Sequence, residues 1–237
     1  MNFVDSVKRS LNRFAKSRGY RIEKVVDYGD ATLDIFPVLV EALEPASSNF
    51  FFVEVGANDG CSGDPIHDQI CSYGWRGLLL EPQPSVFEKL VKNYSGFEGL
   101  IFENVALGTA DGTQKLYTFE DADYLASFDR KTLEKRSHGN TNIKEIDVKV
   151  KTFQTLYSEH QVDRVDLLLV DTEGFDFEVI KMALDTGLAK PRLIRYEHLH
   201  LTSSERAACI SLLAKCGYKM LRDGRDTIAL HCPKDLA

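Results

Sequence analysis

The chain has 237 residues, 43% of them hydrophobic, enough for one large domain with a full core or for a domain with a short extension. A formal net charge of -7 excludes nucleic acid as a first choice of partner, because affinity for a phosphate backbone comes chiefly from lysine and arginine displacing counterions. No apolar run reaches the roughly twenty residues of a membrane-spanning helix, and no signal-peptide core follows the N-terminal charges, so a soluble, cytoplasmic protein is expected.

In chain order, the first segment carries Lys8, Arg9, Arg13, Lys16, Arg18 and Arg21 against Asp5, with Phe3, Val7, Leu11 and Phe14 as a nearly helical apolar stripe. Such a basic amphipathic helix packs on the domain behind it or makes peripheral contact with an anionic membrane surface, and packing is the simpler reading. A second apolar segment, Ile35 to Leu43, is interrupted by Pro37 and ends at Glu44-Pro45. The expected organisation is an N-terminal helical extension over residues 1–48 and one domain over residues 49–237.

Past that boundary, short apolar runs alternate with helical periodicity: Phe50 to Val55, Leu78 to Leu80, Leu100 to Leu107, Val165 to Val170 and Leu193 to Tyr196. Strands apolar on both faces belong in a parallel sheet covered by helices on each side. The intervening helices carry their own punctuation. Asp64-Pro65 opens one with a stripe of Ile66, Ile70 and Tyr73, and Gly74 ends it. A capping box at Ser85 to Glu88 opens the next, which buries Phe87, Leu90, Val91 and Tyr94. Gly187 closes a helix bearing Val179, Ile180, Ala183 and Leu184, and Thr202 to Glu205 opens another. Tyr218 to Leu221, a turn at Asp223-Gly224 and Thr227 to His231 read as a β-hairpin. The whole is a doubly wound α/β sheet, mostly parallel with an antiparallel finish. Between Thr109 and Val150 the alternation fails: Gln114 to Phe119 reads as a strand, Asp129 to Glu145 is dense in charge, and the segment as a whole reads as a lid over a site or a mobile surface loop. The five cysteines, Cys61, Cys71, Cys209, Cys216 and Cys232, lack CxxC spacing and read as reduced, mostly packed thiols.

Ligands of open α/β sheets bind at the carboxyl ends of the strands, where the loop after Val55 should lie. Gly56 and Gly60 enclose Ala57, Asn58 and Asp59, which is not the GxGxxG that lets backbone approach a pyrophosphate. Glu81, ending the next strand, suits the two hydroxyls of a ribose, and Glu54 offers a second carboxylate for an ammonium group. Together they describe a phosphate-free nucleoside bearing positive charge, which S-adenosyl-L-methionine fits better than NAD.

The ordered series VEVGANDG (Val53 to Gly60), EPQP (Glu81 to Pro84), NVALG (Asn104 to Gly108), DTEGFDFEVI (Asp171 to Ile180) and the pair Glu197-His198 resembles the FkbM-type family of S-adenosylmethionine-dependent methyltransferases. The resemblance covers most of the chain, from about Phe50 to His231. It implies a class I methyltransferase (Rossmann-like) fold with an antiparallel last strand, and methyl transfer, usually to a hydroxyl oxygen of a sugar, glycan or small natural product. It further implies that Glu54, Gly56, Ala57, Asn58, Asp59 and Gly60 hold the methionine end of the cofactor and Glu81 its ribose. Asn104 and Ala106 would lie near the adenine. Thr172 and Asp176 depart from the family pattern on the acceptor side.

An alcohol acceptor loses a proton, and His198 is the first choice of base because it follows a strand at the ligand edge, with Asp171 and Glu173 in reserve and Asp171 also close to the cofactor. His200 would share the face of His198 if the strand continued. Asp171, Glu173, His198 and His200 are also possible ligands of a divalent metal, but nothing in their spacing demands one and the metal-free reading is preferred. Ser127, Tyr117, Tyr124 and Phe128 are further acceptor contacts to weigh against ordinary loop packing. The competing functions are an NAD-dependent oxidoreductase on a related sheet and a nucleoside-binding module without catalysis.

Overall fold

A computed structural model describes residues 35–43, 50–119, 122–136 and 142–232, so the basic N-terminal helix and the segment at 44–49 lie outside the described residues. The main sheet is built from β1 (Phe51–Val55), β2 (Arg76–Leu80), β3 (Leu100–Glu103), β8 (Leu167–Val170), β9 (Leu193–Glu197), β10 (Tyr218–Asp223) and β11 (Asp226–His231). Their order is β10-β11-β9-β8-β1-β2-β3. All neighbours pair in parallel except β11, which runs antiparallel to both β9 and β10. This is the doubly wound sheet with an antiparallel finish that the apolar runs require.

Side chains alternate across these strands, so each strand feeds two cores. Val53, Val55, Leu78, Leu80, Leu168 and Val170 join one cluster, covered by α5 (Phe153–Glu159), α6 (Asp176–Asp185) and α7 (Ser203–Lys215). Phe52, Leu79, Leu167, Leu169 and Leu193 join the other, under α1 (Ile35–Glu41), α2 (His67–Tyr73) and α3 (Pro84–Asn93). Phe36 and Val40 of α1 are buried in this second core, and the compact unit begins at Ile35. Pro37 falls in the first turn of α1, where its missing N–H costs nothing.

The segment after Gly108 is not a bare lid or loop. Strands β4 (Ala106–Leu107), β5 (Gly112–Phe119), β6 (Ala122–Ser127) and β7 (Ile143–Lys151) form a second sheet in the order β4-β7-β5-β6, with α4 (Arg130–Arg136) after β6. Ala106, Leu116 and Val148 make its small core. The run Leu100 to Leu107 therefore splits between two sheets, and Asn104 marks the break. Its side-chain amide donates to the carbonyls of Glu81 (2.8 Å) and Pro82 (3.2 Å), which pins the bend to the end of β2.

Local punctuation differs in two places. The Ser85 capping box does not form, because Pro84 already starts α3 with Gln83 as its cap residue. Asp64 accepts from Ile66 N at 2.8 Å, and α2 begins only at His67, with Gly74 in the left-handed conformation at its end. The box at Thr202 and Glu205 forms as expected. All five cysteines are free: Cys209 is buried, Cys216 packs partly buried against the same core, Cys232 is half-buried, and Cys61 and Cys71 are exposed. No helix among the described residues is long and apolar enough to cross a membrane.

Candidate active site

Two adjoining cavities open at the carboxyl ends of β1, β2 and β8. The larger, about 680 Å³, is lined by Glu81, Ala106, Asp171, Glu173 and His200 among others. The smaller, about 150 Å³, is lined by Glu54, Gly60, Asp64, Arg195, Glu197 and Asp226 among others. Val55, Gly56, Asn58 and Asp171 border both. Glu81 faces the larger chamber and Glu54 the smaller.

The loop after β1 explains its own glycines. Gly56 is left-handed (φ 85°), and a Cβ there would lie 1.9 Å from the carbonyl oxygen of Asp171. At Gly60 (φ 68°) a Cβ would strike the Tyr94 ring at 2.4 Å and Leu90 at 2.5 Å. Close approach is required here by the protein's own packing, before any ligand is considered. Gly56 N and Ala57 N both donate to Leu80 O at 3.0 Å, tying the loop to β2. Asp59 turns its carboxylate back on the loop, accepting from Cys61 N, Ser62 N and Ser62 Oγ. Although partial burial pushes the Asp59 carboxyl up, those bonds hold it below the usual carboxylate range.

The two acids are in different states of satisfaction. Glu81 accepts from Asn58 N at 3.1 Å and from Gln83 N at 2.9 Å, and burial pushes its carboxyl up to about 7. Glu54 is 6% exposed and no hydrogen bond reaches its buried Oε2. Burial, then Asp64 and Asp171, drive its carboxyl well above the ordinary value. A solvent-excluded carboxylate lacking a donor is costly unless a cation meets it.

At the far edge, Asp171 follows β8 and is raised by burial and then by Asp226. Glu173 sits at φ 56°, a left-handed conformation seldom adopted by a residue with a side chain, and lines the large cavity. Asp176 is 0% exposed, accepts from Thr172 Oγ1 (3.1 Å) and Gly174 N (3.0 Å), and is pushed to about 7 by burial and then by Asp171. The two departures from the family pattern thus bond to each other. Glu197 is pushed up to about 8 by burial, then by Asp171, Glu173, Asp176 and Asp226.

The histidines part company. Strand β9 stops at Glu197, so the alternation that would put His198 and His200 on one face ends before it reaches them. His198 is 7% exposed and borders neither cavity. Its Nδ1 lies 3.1 Å from Thr227 Oγ1, and its backbone N–H donates to Arg225 O. Burial, then Arg222 and Arg206, depress its pKa. His200 lines the large cavity, with Nε2 at 3.3 Å from Glu173 Oε2 and 3.4 Å from Glu197 Oε2.

Of the other expected residues, Ala106 lines the large cavity while Asn104 serves the bend beside it. Ser127 and Phe128 also line it, and Phe128 meets Phe175 edge-on at 6.1 Å, whereas Tyr117 does not border either chamber. The Tyr124 side chain lies outside the described residues. Reading the sequence missed Leu116, Phe175, Thr202 and Glu205 as lining residues. Only the capping box at Thr202 and Glu205, which starts a helix beside a strand end, carried a usable signal. Among the described residues two clusters bring three possible ligand atoms within 4.8 Å of one another: Glu103, Glu159 and His160, and Glu173, Glu197 and His200. The Lys151 ammonium already bonds both carboxylates of the first; the His200 ring spans those of the second.

The family description "Methyltransferase FkbM domain" matches residues 54–220. Among solved structures the chain is similar to the methyltransferase FkbM from Methylobacillus flagellatus, at 13% identity over 77% of this chain and 43% of that one, TM-score 0.48. It is also similar to the N-terminal domain of human METTL16 in complex with SAH, at 13% identity over 98% and 85%, TM-score 0.45. A third is an rRNA methylase from Streptococcus thermophilus, at 7% identity over 86% and 100%, TM-score 0.46. No curated protein matches the chain by sequence.

Proposed function

Because the chain belongs to the FkbM methyltransferase family and is thereby an S-adenosylmethionine-dependent methyltransferase, we propose that it methylates a hydroxyl oxygen of a sugar, glycan or small natural product. The observation that carries the cofactor side of this reading is Glu54. Its carboxyl is buried, donor-free at Oε2 and open to a small chamber, which suits the α-ammonium of the methionine end. In this reading Glu81 uses the lone pairs its two backbone bonds leave over for the ribose hydroxyls, and the apolar wall of Val105, Ala106 and Leu107 meets the adenine. The same acids speak against NAD, since a pyrophosphate in the small chamber would face Glu54, Asp64 and Asp171.

The cofactor supplies a methyl group already activated by a sulfonium. The chain's own task is to align the acceptor oxygen, hold water out and receive one proton. Alignment of that kind is worth roughly 7 to 11 kcal/mol of barrier. Asp171, Glu173 and the aromatic pair Phe128 and Phe175 border the space left for the acceptor, polar on one side and apolar on the other, as a saccharide ring requires.

Thermal-shift measurements with S-adenosylhomocysteine and with NADH test the cofactor assignment. Stabilisation by the first and not the second is expected, and the reverse overturns it. Glu54→Gln keeps the shape but removes the charge; a loss of about 2 kcal/mol, roughly 30-fold in S-adenosylhomocysteine affinity by calorimetry, is expected. Incubation with S-adenosylmethionine labelled in the methyl group and a panel of saccharides should give base-stable ether label. Label that appears only on amines or thiols would sink the oxygen assignment.

A further inference from the structure

We propose that His200, paired with Glu173, is the general base that takes the proton from the acceptor hydroxyl. The assignment rests on the oxygen-methylation reading above and replaces His198 in that role.

Three observations carry it. His200 borders the large cavity and His198 borders neither. His198 is tied to the hairpin through Thr227 and Arg225, so it serves the packing of β11 against β9. And His200 Nε2 faces two carboxyl groups brought in from the ends of two neighbouring strands: Glu173 Oε2 at 3.3 Å, and at 3.4 Å Glu197 Oε2, whose carboxyl burial pushes up to about 8 and which makes no hydrogen bond. The Glu173 carboxylate beside this nitrogen places the N–H there, which puts the basic lone pair on Nδ1 and stabilises the imidazolium once it forms. Glu173 is the positioning residue in this arrangement.

The ionisable groups that face Glu197 and this ring come from five elements. The loop after β8 contributes Asp171 and Glu173, α6 contributes Asp176, and β9 contributes Glu197. The hairpin contributes Asp226, already bonded by Arg195 at 2.6 Å. From α7, Glu205 is held by Thr202, and Arg206 bonds the carbonyls of Leu199 and Leu201 on either side of His200. Arg206 thereby braces the turn that presents the ring. The hydroxyl proton passes to Nδ1 while the new O–C bond forms, and the C–S electron pair stays on sulfur. The proton later leaves to solvent.

The test is heteronuclear NMR of the histidine side chains in the full chain, with His198→Gln and His200→Gln used to assign the two signals. Titrations are run with S-adenosylhomocysteine and with sinefungin, which carries an ammonium group where the transferred methyl would be. With S-adenosylhomocysteine bound, His200 is expected to hold its proton on Nε2. Exchange for sinefungin should lower its midpoint by about 0.5 unit or more, as a like charge within several ångströms does even at high dielectric. The His198 signal should not follow. Glu173→Gln should lower the His200 midpoint further without abolishing S-adenosylhomocysteine stabilisation.

The assignment is overturned by a proton on Nδ1, by a response at His198 in place of His200, or by no response at His200 while both compounds stabilise the protein. Stoichiometric broadening of the His200 signal by MnCl2 also overturns it, since the trio would then hold a metal. If neither compound stabilises the protein, the cofactor reading falls and this assignment falls with it.

Discussion

Glu54, Glu81, Asp176 and Glu197 are carboxyls whose burial holds them above the ordinary range, the last three at about 7, 7 and 8. In each case the native chain keeps a proton that the unfolded chain has released. Stability contributed below the unfolded carboxylate range is therefore lost as pH rises, until the folded pKa values are passed. The ligand-free protein should show a melting temperature that falls steadily from about pH 5 to pH 8 by differential scanning fluorimetry. A flat or rising profile would show that these acids are not held protonated. The glycines make an internal control. Gly56→Ala meets the Asp171 carbonyl, whereas at Gly63 (φ 77°) nothing lies within 4 Å of an added Cβ. Urea unfolding should give a loss of roughly 3 kcal/mol at Gly56 and about 1 kcal/mol at Gly63, where only the backbone conformation is penalised.

At the scale of elements, the turn between β9 and α7 decides which histidine faces the cavity. Thr202 caps α7 by accepting from Glu205 N, and Glu205 answers by accepting from Thr202 N at 2.7 Å. Thr202→Ala should cost about 1 kcal/mol in chemical denaturation. The second sheet is held by a far smaller core than the first. Leu116→Ala removes the largest side chain of the cluster with Ala106 and Val148 and should cost about 2 to 3 kcal/mol, at the low end for a buried leucine. A loss of S-adenosylhomocysteine affinity should accompany it, because Leu116 also lines the large cavity. Strand β7 escaped the sequence because IKEIDVKVK alternates Ile146, Val148 and Val150 with charges that read as a loop. Its partner β5 is pinned by a long-range pairing from Gly112↔Val150 to Phe119↔Ile143, which no local window contains.

For the molecule as a whole, the site is a meeting of strand ends that the sheet order makes neighbours. Glu54 on β1 and the loop that follows β8 adjoin because β8 pairs with β1, although more than a hundred residues separate them in the chain. Binding that gives Glu54 a counter-charge should also flatten the pH profile. Saturating S-adenosylhomocysteine should raise the melting temperature more at pH 8 than at pH 5, and an equal rise at both would detach Glu54 from the ligand. The sequence by itself determined the main sheet, its helices on both faces and its antiparallel end, because strands buried on both sides must be apolar throughout and hairpin turns are local. It also determined the acids at the strand ends, since an acid closing an apolar run stands out in one dimension. Only the tertiary structure decided that the glycines answer to Asp171 and Tyr94, that the insert is a walled sheet, and that His200 faces the cavity while His198 turns inward. Those outcomes depend on where one strand stops and what a distant segment places beside it, and such contacts are set by packing between parts of the chain that no local pattern connects.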